Sequence, residues 1–289
     1  MGDNRIASWI IRREGVIFLL FAIVHLFPIW IFPYIPTQDG PSHIYNAIVI
    51  KEYSSQSHPI FQKYYILNKN QLSNWAGHLI LSGLTNIFPN LISEKFLSSI
   101  YVIMLPVLAR YAFRSMKKEA TVLSFLIFPF IYNFNFHMGF YSFAYTLPLF
   151  FLLVGYCINH SENFKFRNCV FIGLISGIII LFHIMTFFIT SIFILTFQLY
   201  QFFIEYRNLP SARPFLWRDA RRIFLSRVFL PSLSLLPSVV IAFLFFMSQG
   251  TESSGLKLDF NFSLAYLSSF GRNEDFVYVL FQGFLFILF

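Results

Sequence analysis

Asp39 and His43 are the first pair in this chain equipped for chemistry. Spaced by four, they share a face if the local backbone is helical. They lie in Pro36-Thr37-Gln38-Asp39-Gly40-Pro41-Ser42-His43, where the first long apolar segment runs out, and Asp39 is the first acid after Glu14. A carboxylate there could take a proton from an acceptor hydroxyl or ligate a divalent cation. An imidazole one turn on could bind phosphate, donate a hydrogen bond or orient the carboxylate. A structural account competes on equal terms, with Asp39 capping a short helix that begins at Pro41 and His43 an ordinary surface residue.

Further polar groups recur at the same side of the topology derived below. His58, His78, His137 and His183 fall there with His43, leaving His25 and His160 elsewhere. Asn133, Asn135 and His137 alternate, which suits an extended turn offering three polar groups on one side. No H-x-x-x-H or H-E-x-x-H spacing puts two histidines on one helical face, so a zinc set would need tertiary folding to bring His78 and His137 together. Phosphate-binding G-x-x-x-x-G-K-[ST], nucleophile-elbow G-x-S-x-G and Gly-rich dinucleotide turns are all missing, which argues against nucleotide chemistry in a soluble site.

The elements that must position these groups are apolar. Only 12% of the residues are charged and 57% are hydrophobic, against about 25% charged in a soluble domain. Apolar runs of about 18 residues recur, enough to cross about 30 Å of hydrocarbon as helix. Barrel strands would alternate instead. The expected fold is all-α, a polytopic transmembrane bundle of about eight helices in a lipid bilayer. The net charge of +8 gathers in the linkers between apolar runs, so it reads as a topology signal rather than a nucleic-acid surface. Cys157 and Cys169 flank one such linker and imply no disulfide framework.

Arg5, Arg12 and Arg13 place the N-terminus in the cytoplasm. The first helix covers 15–33 and ends at Pro33 and Pro36; it is too long and too aromatic for a cleaved signal. A long external loop, 34–93, follows. Within it His43 to Tyr53 reads as a short helix, and Gln71 to Phe88 as an amphipathic interfacial piece. Residues 94–248 carry the second to seventh helices. The run from Cys169 to Phe203 reads as two short helices turning near His183, which keeps both basic linkers on one side. Residues 204–227, with Arg207, Arg213, Arg218, Arg221, Arg222 and Arg227, read as an anchor on anionic lipid. A second external loop, 249–275, leads to the start of an eighth helix at 276–289, so the chain reads as the N-terminal part of a longer protein.

The order of these parts resembles the GT-C superfamily of integral membrane glycosyltransferases, the group of the protein O-mannosyltransferases and the aminoarabinose transferases. The stretches that carry the resemblance are Ile35-Pro36-Thr37-Gln38-Asp39-Gly40-Pro41, Asn74-Trp75-Ala76-Gly77-His78 through Ile87-Phe88-Pro89, and the helix ending Leu108-Ala109-Arg110. It implies a polyprenyl phosphate-linked sugar donor, an extracytoplasmic acceptor, and a catalytic acid just past the first helix. Carried over, that acid is Asp39, as base or as ligand of a divalent cation. Many relatives have an acidic pair here, whereas this chain has Gly40.

The resulting expectation is a sugar transferase of a bacterial inner (plasma) membrane. Asp39 and His43 are its catalytic candidates, and His78, Asn135, His137 and His183 its substrate-binding ones. Two alternatives stay open. One is a transporter or flippase of a lipid-linked or anionic solute, which predicts ionisable groups at mid-membrane depth, where mainly His25 is found. The other is a non-catalytic membrane scaffold.

Overall fold

The structure, a computed structural model, describes residues 3–68, 72–162, 164–208 and 217–248. The first helix does not run unbroken. It divides into α1 (Asp3–Val24) and α2 (Phe27–Ile31), because Pro28 has no N–H to donate to Val24. His25 sits at this break, its Nδ1 on the Phe21 carbonyl at 2.7 Å and its ring over Phe128. It is a packed residue.

The external loop folds into three helices, α3 (Gly40–Glu52), α4 (Ile60–Tyr64) and α5 (Trp75–Leu84). The span that follows, α6 (Asn90–Met116), begins earlier than the expected start at 94. Glu94 and Lys95, charged residues in its first two turns, are both buried. Lys95 Nζ donates to the Phe32 carbonyl at 2.6 Å, and the Tyr141 hydroxyl donates to Glu94 Oε1 at 2.6 Å.

The third span is a 3-10 helix, Glu119–Phe130, with the short α7 (Phe134–His137) behind it. Then come α8 (Tyr141–Asn159), α9 (Phe166–Phe182), α10 (Ile184–Arg207) and α11 (Trp217–Phe224). A π turn at Leu225–Phe229 leads into α12 (Leu230–Ser234) and α13 (Leu236–Ser248). The turn at His183 holds as expected: its backbone is extended, at φ −157° and ψ 117°, and it closes α9 and opens α10. The expected eighth helix and second external loop, and Arg213, lie outside the described residues.

Six helices among the described residues are long and apolar enough to cross a membrane: Arg13–Ile31, Asn90–Met116, Glu119–His137, Tyr141–Asn159, Ile184–Arg207 and Arg218–Met247. Helix α9, with 17 residues, falls just short of that length. Their outer faces carry Leu19, Ile23, Leu174, Ile189, Ile192 and Phe243 in the open, a distribution that water would penalise and hydrocarbon tolerates. Inside, α6 packs on α8 and on the 3-10 helix, and α9 packs on α8, α10 and α13. Tyr101, Leu105, Phe136, Leu153, Ile172 and Ile179 fill the centre. The chain is an all-α, multi-pass membrane bundle.

Two ion pairs tie the end of the bundle where the basic linkers gather. Arg110 grips Glu14 with both guanidinium nitrogens, Nη2 to Oε2 at 2.6 Å, and lies 4.6 Å above the Phe18 ring. Arg227, expected on the lipid surface, is instead buried and paired with Glu205. Leaving a guanidinium unpaired at that depth would be costly. Arg218, Arg221 and Arg222 remain exposed.

Candidate functional site

The cavity of interest lies at the opposite end, where α3, α5, α8 and the α9–α10 turn meet. Its volume is about 520 Å³, and Asp39, His43, Asn74, His78, Asn135, Phe140, Ser142, Phe143 and His183 line it. Five of the six candidates picked from the sequence are on this wall, from segments far apart in the chain. His137 is not.

Asp39 is placed by backbone. Gln38 N donates to His137 O at 2.9 Å and Asp39 N to Met138 O at 3.1 Å, so the segment before α3 docks on the one before α8. Gly139 closes this joint at φ +81°. A Cβ there would stand 2.9 Å from Asp39 N and 3.0 Å from Gly40 N, so a glycine is required both for conformation and for approach. His43 N then donates to Asp39 O at 3.0 Å, which makes the four-residue spacing one helical turn, as expected. The capping account of Asp39 does not hold. Its side chain makes no capping hydrogen bond, and it has no ion-pair partner among the described residues.

Below Asp39 is a second carboxylate. Thr37 Oγ1 lies 3.1 Å from the Tyr141 hydroxyl. Since Tyr141 spends its proton on Glu94, Thr37 must be the donor in that contact. A Cβ built on Gly40 would collide with Glu94 Oε1 and Thr37 Oγ1. The place a side chain at residue 40 would fill is therefore taken by the Glu94 carboxylate, reaching in from α6.

His43 and His78 meet directly. His43 Nδ1 is 2.9 Å from His78 Nε2, and His78 Nδ1 is 3.1 Å from the Asn74 carbonyl. That carbonyl can only accept, so His78 carries a proton on Nδ1. Asn74 aims it from the left-handed region, at φ 68°, which asparagine tolerates better than most residues. Burial pushes both imidazoles below their ordinary range. For His43 the neighbouring His78 adds to this, while the Gly139 backbone and Asp39 pull more weakly the other way. Gly139 lies outside hydrogen-bonding geometry, since His43 Nε2 is buried without a partner.

His183 occupies the far wall, edge-on to Phe143 at 5.3 Å. Its Nδ1 accepts from Thr186 N at 3.4 Å and contacts Thr186 Oγ1 at 3.0 Å, leaving the proton on Nε2. The extended turn expected at 133–139 is a correction. Asn133 Oδ1 accepts from Phe136 N at 3.1 Å and caps α7. Helical rotation then sends Asn135 to the cavity and His137 toward the Tyr132 and Phe136 rings. Only the His137 carbonyl serves the site.

Asn74, Ser142, Phe140 and Phe143 were missed, as was Glu94 behind them. A polar residue at a helix start and an aromatic in an aromatic-rich chain carry no distinguishing signal. Among the described residues no three His, Cys, Asp or Glu side chains converge as a metal set; the facing nitrogens of His43 and His78 are already bonded to each other. The described donors therefore do not by themselves make up a divalent-cation site. Among the described residues no Lys or Arg lines the cavity. The arrangement offers an unpaired carboxylate, neutral imidazoles, amide and hydroxyl groups, and two phenyl rings. Family models, curated proteins and solved structures were compared with this chain, and none matches.

Proposed function

We propose that this cavity is the active site of a membrane glycosyltransferase that moves a sugar from a polyprenyl phosphate carrier to an extracytoplasmic acceptor. The observation that carries the reading is Asp39, a half-buried carboxylate that no described group neutralises, held by backbone at the wall of a 520 Å³ cavity. A carboxylate that only holds the fold together is normally bonded. One kept free is available to a ligand.

The chemistry needs little more. Asp39 takes the acceptor hydroxyl proton as the oxygen attacks the anomeric carbon. The carbon–oxygen bond to phosphate breaks and the phosphate leaves with the electron pair, inverting the centre. Asn74, Asn135, Ser142 and the Nε2–H of His183 orient sugar hydroxyls, and Phe140 and Phe143 cover the apolar sugar face. In this reading the cavity opens outside the cytoplasm, the N-terminus and basic linkers lie inside, and the membrane is a bacterial plasma membrane.

The test is transfer from a panel of radiolabelled polyprenyl phosphate sugars in proteoliposomes, with mixed membrane acceptors. Label moving to acceptor from one donor supports the reading and names the sugar. No transfer from any donor, by protein shown to be inserted and folded, overturns it.

A further inference from the structure

The histidine pair is one proton short. Three positions along it can hold hydrogen: between Asn74 O and His78 Nδ1, between His78 Nε2 and His43 Nδ1, and at His43 Nε2. Two neutral rings supply two protons. The first is fixed on His78 Nδ1 by the carbonyl at 3.1 Å, and the second must lie in the 2.9 Å gap between the rings. His43 Nε2 is then a bare lone pair, buried and without a hydrogen-bond partner. Such a group is poorly satisfied, and one added proton completes the row.

The surroundings decide when that proton enters. Asp39 stands one turn before His43 and favours it. The Tyr141 ring lies 5.3 Å from the His43 ring, with its hydroxyl committed to the buried Glu94. His183, across the cavity, is neutral with Nδ1 turned to Thr186. Burial of both rings opposes charge while the cavity is empty. Among the described residues no Lys or Arg lines the cavity, so the positive charge those residues can offer there comes from the histidines.

We propose that the His43–His78 pair is a proton-coupled anion site, which takes up a single proton together with the phosphate group of a ligand. The assignment of the anion as phosphate rests on the transferase reading; the one-proton deficit does not. The coupling is reciprocal: an anion strengthens the pair's hold on the proton, and the proton strengthens the hold on the anion.

The experiment uses the full chain in nanodiscs of neutral lipid, labelled with 15N at histidine. The probes are diethyl phosphate and farnesyl ethyl phosphate, both diesters that stay monoanionic across the range. Two readouts are taken from about pH 8 to about pH 5, bracketing the ordinary imidazole value: the protonation of the ring nitrogens and the affinity of each probe. The proposal expects an unprotonated His43 Nε2 at high pH, one proton gained by the pair on binding, and affinity rising about tenfold per pH unit as pH falls above the pair's midpoint. Binding of both probes assigns recognition to the phosphate alone, and of the farnesyl probe alone to a lipid headgroup; either supports the proposal. His43→Gln removes the bare Nε2, while its amide N–H can still donate to His78 Nε2, and should flatten the slope at least fivefold. Affinity independent of pH, no binding of either probe, or an unchanged slope in His43→Gln overturns it. Proton-coupled binding without sugar transfer would keep this site and remove the transferase; transfer without coupling would do the reverse.

Discussion

The two ends of the bundle treat charge in opposite ways. At the basic end Glu14 answers Arg110 and Glu205 answers Arg227, and each pair locks one helix to another segment. At the cavity end, among the described residues, Asp39 has no ion-pair partner, His43 Nε2 has no hydrogen-bond partner, and no Lys or Arg lines the wall. Satisfied charge fixes helices in place, while unsatisfied charge is free energy left for something that binds. The contrast separates architecture from chemistry in a molecule where charge is scarce.

The sharpest way to break the contrast is at Gly139. A methyl at φ +81°, 2.9 Å from Asp39 N, must either shift the backbone or displace Asp39. Gly139→Ala should cost about 1–3 kcal/mol of stability and close the approach to the cavity, as checked by denaturation of the detergent-solubilised protein. Breaking the other end should cost nearly as much stability and leave the cavity intact. Glu14→Gln strands Arg110 at about one-fifth exposure, between the surface and buried limits for an ion pair, so about 1–3 kcal/mol is expected. Ligand affinity in Glu14→Gln, measured on the fraction that remains folded, should stay within about twofold.

The smallest effect is a pH slope. Burial holds His43 and His78 below their ordinary range, so on acidification the unfolded chain takes up protons on these rings before the folded chain does. Their contribution to stability is therefore complete above about pH 6.5 and declines as pH falls through that value toward the folded midpoints. Replacing His43 by Asn should flatten the decline, and adding a phosphate diester to the wild type should offset it. A decline identical in His43→Asn would place its source elsewhere.

Much of this was legible in the sequence because lipid makes polar residues conspicuous. Asp39, His43, His78, Asn135 and His183 stood out against apolar surroundings, and basic-linker parity located the turn at His183. Burial was not legible. The burial of Glu94 and Lys95 could not be read because a hydropathy pattern cannot know that a tyrosine 47 residues away and a carbonyl 63 residues away will bond them. His137 was misplaced for a local reason: Asn133 caps a single helical turn, and a period of two became one of 3.6. Arg227 was given to the lipid surface by composition, where Glu205, 22 residues back, had already claimed it.

The most direct measurement compares Asp39→Asn with the wild type in the sugar-transfer assay, with membrane insertion and thermal stability recorded on the same samples. If the free carboxylate is the acceptor's base, turnover falls by about a hundredfold or more while insertion and stability hold, since the Asp39 side chain makes no capping bond for the fold to lose and its backbone bonds are kept. Turnover within a few-fold of wild type would contradict the assignment. A loss of stability like that of Glu14→Gln would return Asp39 to the architecture.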